Sequence, residues 1–233
     1  MPAILFDVFG TIITSEADDK THRDISKELS KIHEQTFPPE EHFILYKKYL
    51  EEWLDPRRPS MIAMWKGLQE LSSKYGFEIK VTPEDLDLMH KKYHRIHAEL
   101  YPDAVEAVTL AKEKVGRLGI VSDSDEGIPK IVLEASGLIK FFDVIICSGE
   151  ILSRKPELKM FMEAAKALSV EPQESVVIGD SWRDVVGAKN AGMKGVLLVR
   201  NRSKLPIEAF EAAEAIAISL LDGVNKALKI LGL

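Results

Sequence analysis

The sequence predicts an α/β protein with a doubly wound parallel sheet and an inserted all-helical domain of four helices. Short apolar runs at the start of the chain and after residue 101 alternate with amphipathic segments, which is typical of parallel strands covered by helices on both faces. Between residues 15 and 100 the segments are instead long and amphipathic. We therefore expect a core domain formed by residues 1–14 and 101–233 and a helical cap domain formed by residues 15–100.

The first apolar run predicts a buried strand that ends in a carboxylate. Ala3–Phe6 lacks a helical period and is directly followed by Asp7. Open α/β sheets bind their ligands at the carboxyl ends of their strands. Gly10 and Thr11 then predict a tight turn, so Asp7 would be held firmly, as a nucleophile requires. A turn-forming or helix-capping Asp is the simpler alternative for this residue taken alone.

The cap is predicted to be a helical bundle with short connections that contain Pro or Gly. The expected helices are Asp19–Gln35, Pro39–Leu54, Ser60–Tyr75 and Thr82–Ala98. All six histidines fall in the cap, at His22, His33, His42, His90, His94 and His97. The spacing of the last three could place metal ligands on one helix face. Because no carboxylate or Cys pattern completes such a site, surface or packing roles are favoured.

The chain after Pro102 predicts the rest of the sheet and the helices that cover it. The expected strands are Leu118–Val121, Phe142–Cys147, Val176–Ile178, Gly195–Val199 and Ala215–Ile218. The expected helices are Asp103–Val115, Glu126–Gly137, Glu157–Ser169, Arg183–Ala191 and Leu221–Leu231.

Polar clusters follow three of these strands, as Asp7 follows the first. They are Ser122-Asp123, Arg154-Lys155-Pro156, and Gly179-Asp180 with Asp184. With this ordered set of four, the chain resembles the phosphatases of the haloacid dehalogenase-like hydrolase superfamily, which have a Rossmann-like core and a helical cap between the first and second motifs. The resemblance covers the strand motifs from residue 4 to about residue 200. The segment between Ser15 and Leu100 matches only in length and helical character.

The chemistry of these residues indicates a metal-dependent phosphoryl transfer. Asp7 can act as the nucleophile through an aspartyl-phosphate intermediate. Asp7, Asp180 and Asp184 beside a phosphate would repel one another, so the site requires a cation, and oxygen ligands suit Mg²⁺. Lys155 would supply positive charge between Asp7 and the phosphate, and Ser122 a hydroxyl donor.

The resemblance implies a Mg²⁺-dependent phosphate monoester hydrolase that acts on a small molecule. It assigns catalytic roles to Asp7, Ser122 and Lys155, and substrate binding to Thr11, Ser122, Asp123 and Lys155. It assigns the metal to Asp7, the backbone carbonyl of Phe9, Asp180 and, in a supporting position, Asp184.

Phe9 departs from the family pattern, because phosphatases of this superfamily usually carry a second Asp at that position as general acid. Its loss costs about 10²–10⁴ in rate unless another group replaces it. Either the substrate has a good leaving group or a cap or loop residue donates the proton. The candidate donors are Glu16, Asp18, His22 and Asp123.

Phe9 leaves two alternatives open. The metal-independent 2-haloacid dehalogenases use the same nucleophile, and halide needs no general acid. They have a neutral Ser-and-Asn last motif and an early cap Arg, whereas this chain has Gly179-Asp180 and only Arg23 early in the cap. The second alternative is a binding module without catalysis, which the retention of all the other motif residues disfavours.

Composition narrows the partners. The net charge is −6 with basic residues mixed among acidic ones, so nucleic acid is a poor candidate. No apolar run approaches a membrane span and the N-terminus lacks a targeting pattern, so we expect a cytoplasmic protein, monomeric or a small homo-oligomer. The single Cys147 is expected to be a small buried residue. Conceivable cap contacts to substrate, although bundle packing or solvated surface is the simpler interpretation, are Trp53, Trp65, His22, Arg57 and Lys66.

Overall fold

A six-stranded parallel sheet forms the centre of the molecule. The computed structural model describes residues 2–53, 55, 57–200 and 205–233. In the order β3-β2-β1-β4-β5-β6, the strands are Val144–Cys147, Leu118–Ser122, Ala3–Phe6, Ser175–Gly179, Lys194–Leu198 and Ala215–Ala217. The first strand of the chain is thus a central strand, flanked by β2 and β4. The parallel sheet confirms the predicted α/β class.

Both faces of the sheet are buried, which explains the continuous apolar runs of its strands. Ile4 and Phe6 belong to a cluster on one face, and Ala3 and Leu5 to a cluster on the other. The helices outside the cap are α5 Ala104–Val115, α6 Ile128–Ala135, α7 Ser148–Ile151, α8 Leu158–Leu168, α9 Trp182–Asn190, α10 Ile207–Ala212 and α11 Leu220–Ile230. We call these helices and the sheet the core.

Four further helices pack around a separate apolar cluster, and we call them the cap. They are α1 Ser15–Ile32, α2 Pro39–Glu52, α3 Pro59–Tyr75 and α4 Pro83–Ile96. The first begins four residues before the expected Asp19, because the Thr14 hydroxyl accepts the amide of Ala17 at 3.1 Å and caps the helix. It ends earlier than expected, before Glu34 and Gln35, whose φ angles are 56° and 60°. The expected end of the second helix, Leu54, lies outside the described residues.

The core differs from expectation mainly at short elements. Strand β3 begins at Val144 rather than Phe142, because residues 139–141 form a 3₁₀ turn. The short helices α7 and α10 were not predicted, since neither is long enough to show a helical period. Cys147 is fully buried, as predicted. Among the described residues, no helix combines the length and apolar character that crossing a membrane requires.

The two chain segments that join the cap to the core run side by side. The amide of Thr14 donates to the carbonyl of Glu99 at 2.9 Å, and that of Tyr101 to the carbonyl of Ile12 at 3.0 Å. A second connection comes from the loop after β2. There the buried carboxylate of Asp125 accepts the amides at the start of α3, from Ser60 at 2.7 Å and from Met61 at 2.9 Å.

Candidate active site

The predicted site residues meet at one edge of the sheet. Asp7 directly follows β1, Ser122 ends β2 and Asp180 directly follows β4. Because these three strands are parallel neighbours, their carboxyl ends lie together. Lys155 reaches the same edge from the loop between α7 and α8, and Asp184 from the first turn of α9.

Lys155 is the centre of the hydrogen-bond network. Its ammonium group lies 2.6 Å from Asp7 Oδ1, 2.6 Å from Asp184 Oδ1 and 3.2 Å from the carbonyl of Val121. The residue is buried, and burial alone would lower the pKa of its amine, but the surrounding carboxylates outweigh this effect and raise it. Asp123 fixes the lysine loop by accepting the Lys155 amide at 2.9 Å. Lys155 is therefore a buried permanent cation that contacts the predicted nucleophile.

Three carboxylates lie close together at this edge of the sheet. Each of Asp7, Asp180 and Asp184 has an oxygen within 4.8 Å of the others. Burial raises the pKa of Asp7, an effect that Lys155 opposes and Asp184 reinforces. Burial, followed by the charges of Asp7 and Asp184, also raises the pKa of Asp180. Lys155 offsets only one of the three negative charges, so a further cation would stabilise the ionised cluster.

Two glycines let the carboxylates approach the backbone closely. Gly10 has a φ of 84°, and a Cβ there would lie 2.2 Å from Asp180 Oδ2. A Cβ on Gly179 would lie 2.2 Å from Asp184 Oδ2. The Thr11 hydroxyl donates to Asp7 Oδ2 at 3.2 Å. The turn that the sequence predicts after β1 therefore forms one wall of the carboxylate cluster.

The donor set fits Mg²⁺. All three side chains offer hard oxygen ligands, which suit a small divalent ion that also keeps water or phosphate oxygens in its shell. Both oxygens of Asp184 are bonded within the protein, Oδ1 to Lys155 Nζ at 2.6 Å and Oδ2 to the amide of Ser181 at 3.0 Å. Both oxygens of Asp7 are bonded as well, to Lys155 Nζ and to the Thr11 hydroxyl. The hydrogen bonds therefore do not set Asp184 apart from Asp7, and its supporting position rests on the family resemblance.

Ser122 and Thr11 differ in their surroundings. The Ser122 hydroxyl is completely buried and has no hydrogen-bond partner among the described residues. A buried hydroxyl without a partner is costly, so a ligand oxygen beside it would be stabilised. The Thr11 hydroxyl already donates to Asp7 and lies 3.5 Å from Asp180 Oδ1. It therefore orients these carboxylates and, unlike the Ser122 hydroxyl, does not lack a partner.

A cleft of about 250 Å³ opens between the cap and this edge of the sheet. Phe9 and Asp123 line it on the core side, and Arg154 and Arg183 add positive charge. The cap residues that line it include Asp18, Tyr46, Trp53, His90 and His94. Asp7 itself is buried and is not among the residues that line this cleft. The cleft therefore has the size to receive a small molecule, and Arg154 and Arg183 are its positively charged contacts among four lining carboxylates, those of Asp18, Glu51, Asp123 and Asp125.

The conceivable cap contacts separate into three groups. Trp53 lines the cleft, and the guanidinium of Arg154 lies 5.1 Å from the centre of its ring. Trp65 packs against the apolar cluster of the cap. Arg57 binds Asp55 and Lys66 is exposed, and neither lines the cleft. Only Trp53 of these four is in position to touch a ligand there.

The candidate proton donors also occupy different places. Asp18 and Asp123 line the cleft, and burial raises the pKa of Asp123. Glu16 lines a separate depression beside Asp180. His22 is buried within the cap, with its Nδ1 2.9 Å from the carbonyl of Asp18. Phe9 packs against the ring of His94, with 5.4 Å between ring centroids, a contact that the sequence did not predict.

Comparison with known proteins identifies the family. The model of the haloacid dehalogenase-like hydrolases matches residues 1–192, which is most of the chain. The chain belongs to the haloacid dehalogenase-like hydrolase family. The family match confirms the predicted resemblance and the hydrolase class.

Relatives of this hydrolase carry phosphatase names. It is 27% identical over 143 residues to glyceraldehyde 3-phosphate phosphatase of Methanothermobacter thermautotrophicus, an alignment that covers 60% of this chain and 63% of that protein. It is 29% identical over 195 residues to pyrophosphatase PpaX of Bacillus thuringiensis, covering 82% of this chain and 80% of that protein.

Solved structures share the whole fold of this hydrolase. The haloacid dehalogenase-like phosphatase from Thermococcus onnurineus superposes with a TM-score of 0.67 at 28% identity, covering 100% of this chain and 98% of that one. L-2-haloacid dehalogenase from Xanthobacter autotrophicus superposes with a TM-score of 0.66 at 18% identity, covering 97% of each chain, a likeness of fold alone.

Proposed function

We propose that this protein is a Mg²⁺-dependent phosphate monoester hydrolase that acts on a small molecule through an aspartyl-phosphate on Asp7. The observation that carries the proposal is the contact between Asp7 and Lys155 Nζ at 2.6 Å inside a cluster of three carboxylates. The cluster carries more negative charge than Lys155 alone offsets, so it would repel an anionic substrate unless a second cation joined it. Phosphatase names among the relatives support the same class of reaction.

The first half of the reaction forms the covalent intermediate. An oxygen of Asp7 attacks phosphorus while the bond from phosphorus to the leaving oxygen breaks. Lys155 and Ser122 offer a charge and a hydroxyl to the phosphate oxygens. When bound, Mg²⁺ would neutralise charge shared by the carboxylates and the phosphate. Thr11 keeps the Asp7 carboxylate oriented through its 3.2 Å hydrogen bond.

The second half releases phosphate and restores the enzyme. Water attacks the phosphorus of the aspartyl-phosphate, and Asp7 leaves as a carboxylate. Both halves benefit from a proton-transfer group, which Phe9 cannot supply. Asp123 is our choice for this role, because it lines the cleft and burial raises the pKa of its carboxyl.

Dehalogenation is the second candidate, and Phe9 is the observation that favours it. A halide leaving group needs no proton, so an apolar residue at this position does not slow its departure. The carboxylate pair Asp180 and Asp184 opposes this candidate, because it would repel the carboxylate of a 2-haloacid. We therefore rank it below phosphate ester hydrolysis.

The remaining assignments follow from the cleft. Residues 15–100 would act as the cap domain over the core of residues 1–14 and 101–233, with Trp53 and Arg154 contacting the substrate. A volume of about 250 Å³ suits a small phosphorylated molecule rather than a polymer. A cytoplasmic enzyme, monomeric or a small homo-oligomer, fits such a substrate.

The test is hydrolysis of an aryl phosphate by the wild type and by Asp7→Asn, each with and without Mg²⁺. Halide release from 2-chloropropionate is measured in parallel. We expect phosphate release that requires both Mg²⁺ and Asp7, and about 10⁴-fold or greater loss in the variant. Asp19→Asn is the matched control, since Asp19 is a partly exposed cap residue bonded to Lys47. Metal-independent halide release without phosphate release would establish the dehalogenase instead.

A further inference from the structure

A second buried cluster of possible metal ligands lies in the cap. His22 comes from α1, and His90 and His94 lie one turn apart on α4. Each offers a ring nitrogen within 4.8 Å of the others, and all three side chains are at least nine-tenths buried. The carboxylate site contributes none of these ligands, so the two clusters are separate.

The hydrogen bonds of the three rings leave nitrogens unmatched. His22 Nδ1 lies 2.9 Å from the carbonyl of Asp18, so it carries the proton and Nε2 keeps a lone pair. That Nε2 is buried and has no partner within the described part of the chain. His90 Nε2 and His94 Nε2 face each other at 2.9 Å, an arrangement in which at most one lone pair finds a proton. A cation would bind all three lone pairs.

The contact made by the second ring nitrogen of His90 also suits a metal site. His90 Nδ1 is 3.6 Å from Asp125 Oδ2 and has no hydrogen bond to any described residue. Metal-bound histidines usually direct their second nitrogen to a carboxylate in this way. Burial also lowers the pKa of all three histidines, which keeps the rings in the neutral form that binds metals.

We propose that His22, His90 and His94 form a binding site for a divalent transition metal of the Zn²⁺ class. Imidazole donors favour Zn²⁺ and its neighbours over Mg²⁺, which prefers oxygen. Ligands of a tetrahedral zinc ion lie roughly 3.3 Å apart, given Zn–N bonds of about 2.0–2.1 Å, so small ring rotations would close the site. His90 and His94 line the cleft, which provides a route for the ion from solvent.

The inference is independent of the proposed phosphatase activity. It predicts a site of nitrogen donors in the cap, whether or not the oxygen donors of the core bind a metal. Its test therefore measures binding and ligand geometry, and no readout depends on turnover.

The experiment is a Co²⁺ and Zn²⁺ titration of the chelator-treated full chain in saturating Mg²⁺, which occupies oxygen sites. Tetrahedral Co²⁺ with nitrogen ligands absorbs visible light far more strongly than octahedral Co²⁺ with oxygen ligands. We expect one equivalent with the strong tetrahedral spectrum in the wild type. His22→Phe and His94→Phe should weaken binding more than about 100-fold, and Asp125→Asn about 10- to 100-fold.

His97→Gln is the matched control, because His97 follows the same helix but binds Asp24 at 2.9 Å and lies outside the cluster. It should keep the spectrum and the affinity. X-ray absorption of the Zn²⁺-loaded wild type provides a readout that needs no variant, with imidazole nitrogens expected at about 2.0–2.1 Å. Absence of a tetrahedral Co²⁺ signal, absence of imidazole scattering, or an equal loss in His97→Gln would overturn the proposal.

Discussion

The core and the cap each bury a cluster of titratable side chains, but burial shifts the two clusters in opposite directions. In the core it raises the pKa of Asp7 and Asp180. In the cap it lowers the pKa of His22, His90 and His94. In both cases burial favours the neutral form. Asp7 and Asp180 of the core cluster thus favour the fold at low pH, whereas the histidines of the cap cluster favour it at higher pH.

Whether a buried group makes the fold more or less stable as the pH changes depends on how many protons it binds in the folded and in the unfolded state. A carboxyl with a raised pKa keeps its proton in the fold after the unfolded chain has lost it, so its contribution to stability is lost as the pH rises through the folded pKa. His42 of the cap behaves in the opposite way. Burial lowers its pKa to about 4, so the fold loses stability as the pH falls below about 6.5.

The largest expected effect is at Phe9, where the core contacts the cap through His94. Phe9→Asp supplies the proton donor that the family usually has at this position. In an Asp123→Asn background, which removes the donor proposed above, we expect Phe9→Asp to raise kcat on alkyl phosphates by about 10²–10⁴ and to change kcat on aryl phosphates little, because an aryl leaving group needs no proton. Steady-state kinetics on both substrates check this. An equal change in kcat on the two substrates, or a higher kcat on alkyl phosphates in Phe9→Leu, would contradict a role as proton donor for the new carboxyl.

Lys155→Met tests the core alone. The change leaves Asp7 and Asp184 buried without their shared cation, so we expect the free energy of unfolding of the metal-free protein to fall by about 3–5 kcal/mol at pH 8. The loss should be smaller at pH 5, because the Asp7 carboxyl can then hold a proton. Urea unfolding at both pH values measures it. Lys159→Met, at an exposed lysine near the same loop, should cost much less. Equal stability of Lys155→Met and wild type would contradict a stabilising role of Lys155 between Asp7 and Asp184.

Acidification tests the cap alone. Trp182→Phe leaves Trp53 and Trp65, both in the cap, as the fluorescent reporters of unfolding. We expect the cap to lose about 2 kcal/mol between pH 7 and pH 5 from His42 alone, since each pKa unit corresponds to about 1.4 kcal/mol. Urea unfolding followed by fluorescence measures this loss. His42→Gln in the Trp182→Phe background should reduce the loss of stability between pH 7 and pH 5. A cap that is more stable at pH 5 than at pH 7 would contradict the lowered pKa of His42.

The smallest effect expected is the pH dependence of Mg²⁺ binding to the core. Because the pKa values of Asp7 and Asp180 are raised, Mg²⁺ must displace protons, and its affinity should increase with pH. We expect up to about tenfold per pH unit for each proton displaced, or about 1.4 kcal/mol. Calorimetric titration at pH 6, 7 and 8 measures the slope, which Asp180→Asn should reduce. An affinity that does not vary with pH would contradict the raised pKa values.

The sequence predicted that these polar residues meet at one edge of the sheet, and the reason is geometric. Parallel strands place their carboxyl ends at one edge, so a polar residue after an apolar run has a known destination. The carboxylates of Asp7, Asp180 and Asp184 do lie together, with Lys155 between Asp7 and Asp184. Their chemical roles remain proposals. The position of the cleft-lining Arg183 was not predicted, because its direction depends on how α9 packs.

The cap site was not predicted, because the sequence shows which residues share a helix and not which helices meet. His90, His94 and His97 share the spacing that drew attention to them. In the structure His97 contacts Asp24, and His22 takes the place beside the other two. The partner from α1 is set by packing between distant segments. Element ends were misplaced for a similar reason, as at Ser15, where a single hydroxyl cap decides the first turn.

The neighbouring chain segments at Thr14 and Glu99 have an evolutionary consequence. The inserted residues leave the sheet and return to it at almost the same point, held by the hydrogen bond of 2.9 Å between these two residues. An insertion with adjacent ends can be lengthened, shortened or exchanged without displacing β1, and therefore without moving Asp7. If the cap selects the substrate as proposed, this arrangement would let a lineage acquire new substrates by rebuilding the cap while the sheet and Asp7 stay in place.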